Sequence, residues 1–84
     1  MNPGTHTHHF VDRYQGLVGF GLDRDTDEKS LMVYLQKFSD DDLLNTLIPR
    51  LKDDEIKEIS EFISRLLKIH LKNEEYHRLF LKED

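Results

Sequence analysis

The sequence predicts an all-α protein, a small antiparallel bundle of three or four helices with an irregular N-terminal arm. Two observations predict the helices: apolar residues recur at helical spacing from about residue 26 to residue 72, and residue types that cap helices precede these stretches. A third observation predicts the arm, because the apolar segment before residue 26 contains three glycines, which disfavour a helix. We therefore divide the chain into an arm of residues 1–25 and a helical domain of residues 26–84.

Four positions have the composition of a helix start. Ser39, Asp53 and Asn73 have side chains that accept hydrogen bonds from the free N–H groups of a first helical turn, and acids follow each of them. Asp25 precedes Glu28 at the spacing of a capping box. These residues predict where three helices begin, and a fourth if the chain breaks at Asn73.

Helical periodicity assigns an inward apolar face to each helix. The first helix covers about residues 26–38, with an inward face of Leu31, Tyr34, Leu35 and Phe38. The second covers about residues 40–48 and is short, because Pro49 lacks the N–H that would continue it; its inward face is Leu43, Leu44, Leu47 and Ile48. The third begins near Asp54 and has the widest stripe, formed by Ile56, Ile59, Phe62, Ile63, Leu66, Leu67 and His70.

The arm has a polar part and an apolar part. Residues 1–9 are polar, and we expect them to be disordered or held only by contacts from elsewhere. Residues 10–22 are apolar but contain the three glycines, so we expect an extended conformation. Their apolar side chains need a cover, either the surface of the helical domain or a groove of another copy.

Composition excludes several classes of function. The 84 residues, 37% hydrophobic and 35% charged, allow one small domain with a thin core. Without cysteine the chain has no disulfide, thiolate metal site or thiol nucleophile, so oligomerisation is the simplest remaining source of stability. No apolar run approaches a membrane span and the N-terminus lacks a secretory pattern, which predicts a cytoplasmic protein. The net charge of −5 is spread along the chain, which argues against a nucleic-acid partner.

One stretch near the C-terminus contains three side chains that could bind a metal. His70, Glu74 and His77 stand at i, i+4 and i+7, so on a continuous helix they lie within roughly 60° of one another. Imidazole and carboxylate ligands suit iron or zinc. Glu74-x-x-His77 resembles one element of ferritin-like di-iron carboxylate proteins, and His70-x-x-x-Glu74 resembles a fragment of the hemerythrin pattern. The resemblance implies a second such element, which a dimer would supply.

A helix break at Asn73 is the interpretation that we favour for this stretch. Asn73 followed by Glu74 and Glu75 is a good helix start, and a break there turns Glu74 away from His70. His70 and His77 also continue the inward stripe of the third helix, where histidines pack their rings and bond a carbonyl or carboxylate. A pH-sensing role for these histidines is a further alternative.

The function that we predict is that of a small cytoplasmic protein–protein interaction or regulatory module, homodimeric and without catalytic activity. No nucleophile and base can be paired from the sequence, so we do not expect an enzyme. The alternative is a helical iron- or zinc-binding protein that uses the His70, Glu74 and His77 face, completed across a dimer. We expect the protein contacts to come from the arm and from the C-terminal aromatic residues, namely Phe10, Tyr14, Leu17, Phe20, Tyr76 and Phe80.

Overall fold

A computed structural model describes residues 6–83 of the chain. In this range 71% of the residues are helical and no strand is present, which confirms the all-α class. The polar tract predicted to be disordered, residues 1–9, lies partly outside the described residues. Within residues 6–83, no helix has both the length and the apolar composition needed to cross a membrane.

The contacts of the chain divide it into two units, which are described separately. The N-terminal unit is Thr7–Arg50, and the C-terminal unit begins at Leu51. The division into an arm of residues 1–25 and a helical domain of residues 26–84 stays a prediction. The number of helices in a bundle also stays a prediction.

The N-terminal unit contains three α-helices: α1 (Phe10–Arg13), α2 (Arg24–Phe38) and α3 (Asp41–Leu47). A 3-10 turn, Ile48–Arg50, follows α3 directly and includes Pro49, so helical geometry extends past the position where we expected it to end. This continuation is compatible with Pro49, because the first turn of a helix does not require the missing N–H.

Two acids cap the helices of this unit, each close to the position that the sequence indicated. Asp23, and not Asp25, caps α2: its Oδ1 accepts a hydrogen bond from the N–H of Thr26 at 2.8 Å. Asp40, and not Ser39, caps α3 by accepting from the N–H of Leu43 at 3.1 Å. Ser39 instead ends α2. The predicted cap residues are therefore wrong by one or two positions, because several neighbouring residues in these acidic stretches are competent to cap.

The apolar arm segment folds back onto α2 through its backbone. Three N–H groups of the segment donate to side chains of α2: Val11 to Gln36 Oε1 at 2.8 Å, Gly19 to Ser30 Oγ at 2.9 Å and Gly21 to Asp27 Oδ1 at 2.9 Å. At about 100° per residue, these acceptors spread over roughly 180° of the α2 surface, so the segment winds partly around the helix. The backbone of the segment is thus held by its own unit, whereas its apolar side chains Leu17, Val18, Phe20 and Leu22 remain 48–63% exposed.

The buried residues of α2 are not the predicted inward ones. Ser30 and Val33 are buried, whereas the predicted inward residues are exposed: Leu31, Tyr34, Leu35 and Phe38. At about 100° per residue, that apolar face is centred roughly 150° from Val33. The prediction of the inward face is wrong for α2, because periodicity detects apolar side chains and not the acceptors that a nearby backbone needs.

The C-terminal unit is built on α4 (Asp53–His70) and a short C-terminal segment. Lys52, and not Asp53, is the N-cap of α4, and its N–H donates to Glu55 Oε1 at 2.8 Å. The helix ends at His70, after which Leu71 is extended with φ −115° and ψ 142°. This interruption agrees with the break that the sequence favoured.

A second, shorter helical segment follows the interruption. It consists of α5 (Asn73–Glu75) and a π-helical turn, Tyr76–Phe80. Its N-cap is Lys72 and not Asn73, and the N–H of Lys72 donates to Glu75 Oε1 at 2.8 Å. The segment thus begins with the same backbone-to-glutamate contact as α4.

Candidate functional site

The three predicted metal ligands do not share one continuous helical face. His70 is the last residue of α4, Glu74 lies in α5 and His77 lies in the π-helical turn. The shared face required an unbroken helix, and the extended backbone of Leu71 interrupts it. The structure therefore does not bring these side chains together in the way that the spacing on a single helix would.

His77 has a different partner, which the sequence analysis did not identify. Its Nδ1 lies 2.6 Å from Glu83 Oε1, and the N–H of Glu83 donates to the carbonyl of His77 at 2.9 Å. His70 and His77 are both exposed, so the expectation that they pack as core side chains is wrong. The only sequence signal for the contact between His77 and Glu83 is that the acid follows the histidine by six residues. This spacing predicts no contact unless the intervening π-helical turn is known.

Within residues 6–83, no three side chains of the types that bind metals lie close enough together to hold an ion. The sequence-based proposal always required a second chain to complete the ligand set. The iron or zinc site at His70, Glu74 and His77 accordingly stays a prediction about an oligomer.

The C-terminal aromatic residues form part of an apolar cavity. Tyr76 and Phe80 stack with ring centroids 5.4 Å apart. Together with Ile63 and Leu67 of α4 they line a cavity of about 400 Å³, with Lys68 among the lining residues. This cavity lies within the C-terminal unit, and the stacked pair is part of its wall.

The predicted contact residues of the arm fall into two groups. Phe10 and Tyr14 stack on each other at 5.1 Å, and the hydroxyl of Tyr14 donates to the carbonyl of Leu17 at 3.0 Å. Phe20 meets the ring of Tyr34 edge-on at 5.6 Å. Leu17 and Phe20 nevertheless remain more than half exposed, at 63% and 54%. Phe10 and Tyr14 therefore shape the segment, whereas Leu17 and Phe20 are open to a partner.

An exposed apolar surface runs along α4. Six side chains form it, each 36–62% exposed, and we call them the α4 stripe: Ile56, Ile59, Phe62, Ile63, Leu66 and Ile69. The sequence analysis identified five of the six but assigned them to the core. Periodicity alone cannot separate a core face from a docking face, because both are apolar at the same spacing.

The first half of α4 is acidic, whereas the stretch formed by its second half and the two residues that follow is basic. Residues 53–61 contain five acids and one lysine, a net charge of −4, whereas residues 62–72 contain three basic residues and no acid, a net charge of +3 with histidine neutral. Arg65 places its guanidinium over the ring of Phe62, 5.0 Å from the centroid. On the side away from the stripe, Lys57 and Glu61 form an exposed ion pair at 3.1 Å. The helix is thus acidic at its beginning and basic at its end.

In the described part of the chain, two groups with displaced pKa values lie at the start of α2. The backbone N–H of Thr26, and then its hydroxyl, stabilise the carboxylate of Asp23 and hold its pKa below the ordinary value. A hydrogen bond to Asp25 raises the pKa of Lys29. Both displacements come from contacts within the first turns of a helix, and they are explained by capping and by an i, i+4 ion pair.

Comparisons with protein-family models, curated proteins and solved structures give no match to this chain. The exposed surfaces and the charges that border them are the features that bear on function.

Proposed function

We propose that this chain is a small helical protein–protein interaction or regulatory module that works as a homodimer in the cytoplasm, without catalytic activity. The observation that supports this function best is the α4 stripe. Exposed apolar side chains that stand singly are normal, whereas a contiguous apolar patch of this kind is typical of interaction sites.

The small number of buried apolar side chains also supports the proposal. Val33 is the one apolar side chain that is buried in the described part of the chain, while the whole α4 stripe is exposed. A chain of this size gains most of its stability from apolar burial, so a second copy that covers the stripe adds stability that one copy lacks. In this proposal the predicted antiparallel bundle, with its irregular arm, is completed by helices of two copies.

The predicted contact residues have different roles in the proposal. Leu17, Phe20 and Phe80 are exposed and available to a partner. Of the partly buried members, Phe10 and Tyr14 stack on each other and Tyr76 stacks on Phe80. The contact surface thus includes the open members of the predicted set in addition to the α4 stripe.

The test is the molar mass and stability of the purified full chain as a function of concentration. We expect light scattering and sedimentation to report a dimer at micromolar concentration. We also expect the urea midpoint of unfolding to rise with protein concentration, because dimerisation stabilises the folded state by mass action. A fully folded monomer whose stability does not change with concentration would contradict the proposal.

A further inference from the structure

We infer that two copies of the chain pair through the α4 stripe in antiparallel orientation, with Glu58 of each copy facing Arg65 of the other. This inference rests on the proposed function, since it specifies the surface and the arrangement of the proposed homodimer. It commits the exposed stripe to one occupant, a second copy of the same helix.

Glu58 and Arg65 border the stripe on the same side of α4. At about 100° per residue, the stripe spans roughly 140° of the helix surface, and both charged residues lie within roughly 40° of its edge. The contact between Arg65 and the ring of Phe62, at 5.0 Å, holds this cation beside an apolar member of the stripe. Charges at such flanking positions form ion pairs between paired helices and select their orientation.

The charge distribution of α4 selects the antiparallel orientation. A parallel pair would place the two acidic segments, each with a net charge of −4, against one another. An antiparallel pair places residues 53–61 of one copy against the basic residues 62–72 of the other. The helix dipoles favour the same orientation, because the positive end of one helix then lies beside the negative end of its neighbour.

Two-fold symmetry makes each of these contacts occur twice. With the axis midway between Glu58 and Arg65, the two Phe62 side chains lie beside the axis and Ile59 of one copy lies nearest Ile63 of the other. Within a single helix, Glu58 and Arg65 are separated by about 10 Å along the axis, so they do not pair with each other. In the antiparallel pair, the second copy supplies each of them with an opposite charge across the axis.

The experiment is a charge-reversal cycle on the full chain, with the dimer dissociation constant measured by sedimentation. Glu58→Arg and Arg65→Glu each replace two attractive pairs by two repulsive ones, so we expect each single variant to weaken the dimer roughly tenfold. The double variant restores opposite charges across the axis. We expect its dissociation constant to return to within roughly threefold of the original value.

Glu61→Arg is the matched control. It makes the same change of charge on the same helix as Glu58→Arg, but at the exposed ion pair with Lys57 on the side away from the stripe. We expect it to change the dissociation constant less than roughly threefold. Circular dichroism of all the variants verifies that they keep their helix content, which is expected because every substituted side chain is exposed.

The outcomes separate this inference from the proposed function. Two results overturn the antiparallel arrangement while the homodimer stands. One is single variants whose dimer dissociation constants change as little as that of the Glu61 control. The other is a double variant that dimerises more weakly than both single variants. Those results would indicate that the α4 stripe meets its own chain, another protein or a second copy in another orientation. A monomeric original protein overturns the proposed function and this inference together.

Spin labels supply a second measurement that does not depend on affinity. The chain has no cysteine, so Asp54→Cys and Lys68→Cys each introduce one labelling site. In the antiparallel pair, two labels at residue 54 are separated by about 20 Å along the helix axis, whereas residue 54 of one copy lies beside residue 68 of the other. A distance between two labels at residue 54 that is shorter than the mixed distance would overturn the arrangement.

Discussion

The hydroxyl of Ser30, on the buried side of α2, accepts a hydrogen bond from the backbone N–H of Gly19 at 2.9 Å. Ser30 has no exposed surface. Its hydrogen bond with Gly19 ties the arm segment to the middle of α2. The contact explains how a polar side chain can be fully buried at this position of α2. It joins a backbone donor in an irregular segment to a side-chain acceptor on a helix.

Replacement of Ser30 by alanine removes the acceptor of this bond. The half-buried N–H of Gly19 then has no hydroxyl to donate to, so we expect a loss of about 1–3 kcal/mol in the free energy of unfolding. Urea denaturation at fixed protein concentration measures the loss, and hydrogen exchange at Gly19 should become faster. Ser60→Ala is the control, because Ser60 is exposed on α4 and should change the stability by less than about 0.5 kcal/mol.

Gly21 has a φ of +90°, a conformation that side-chain-bearing residues rarely adopt. Open space surrounds the position where a Cβ would be, so backbone strain is the only cost of a substitution. We expect Gly21→Ala to destabilise the chain by about 1–2 kcal/mol. Gly19→Ala is the matched control, since its added Cβ would meet only Leu22 at an ordinary 3.9 Å. Equal losses for the two variants would contradict the strain argument.

Asp40 caps α3 in the structure, whereas the sequence predicted Ser39. Substituting each residue separately shows which side chain stabilises the start of the helix. Asp40→Ala removes the acceptor of the Leu43 N–H, so we expect a loss of about 0.5–2 kcal/mol. Ser39 Oγ only donates to the carbonyl of Gln36, and we expect Ser39→Ala to have a smaller effect. If Ser39→Ala lost more free energy of unfolding than Asp40→Ala in the same urea experiment, Ser39 would be the cap, as the sequence predicted.

The pH dependence of stability should include a contribution from Asp23. Its pKa in the folded chain lies below the unfolded value because Thr26 donates to the carboxylate. The contribution is therefore fully present above the unfolded value, about pH 4, and is lost as the pH falls through the lower folded value. Asp23→Asn keeps a capping side chain without a titrating group, so thermal unfolding of this variant should be less sensitive to pH below about 4. Identical acid profiles for the two proteins would contradict this assignment.

The metal prediction is tested by elemental analysis of untagged protein purified without a chelator. We expect less than one equivalent of iron or zinc per chain, since His77 is already bonded to Glu83 and α4 ends at His70. The double variant His70→Ala and His77→Ala should leave the metal content unchanged. Stoichiometric metal that this variant loses, but that deletion of residues 1–9 does not remove, would establish the helical metal site instead.

Helix positions were predictable because their signals are local. The sequence indicated helices over about 26–38 and 40–48 and another from near Asp54, and the structure contains Arg24–Phe38, Asp41–Leu47 and Asp53–His70. Apolar spacing and nearby capping residues depend on a few neighbours in the chain, so they can be read without tertiary contacts. The choice of cap was less predictable, because runs of acids offer several candidates within one turn.

Contacts across the chain were not predictable in the same way. The bond between Gly19 and Ser30 and the pair of His77 with Glu83 depend on where irregular backbone passes. No spacing rule links an irregular segment to a particular helix residue. The exposure of the α4 stripe was also missed, because an apolar face has the same sequence pattern whether its own chain or a second copy covers it.

The sequence by itself determined the all-α class, the approximate limits of the helices and the interruption after His70, because each follows from local propensity and capping. The tertiary structure alone decided that α2 buries Ser30 and Val33 while Leu31 and Leu35 remain exposed. The physical reason is that the N–H groups of the arm segment need acceptors, which the side chains of Asp27, Ser30 and Gln36 supply and apolar side chains cannot.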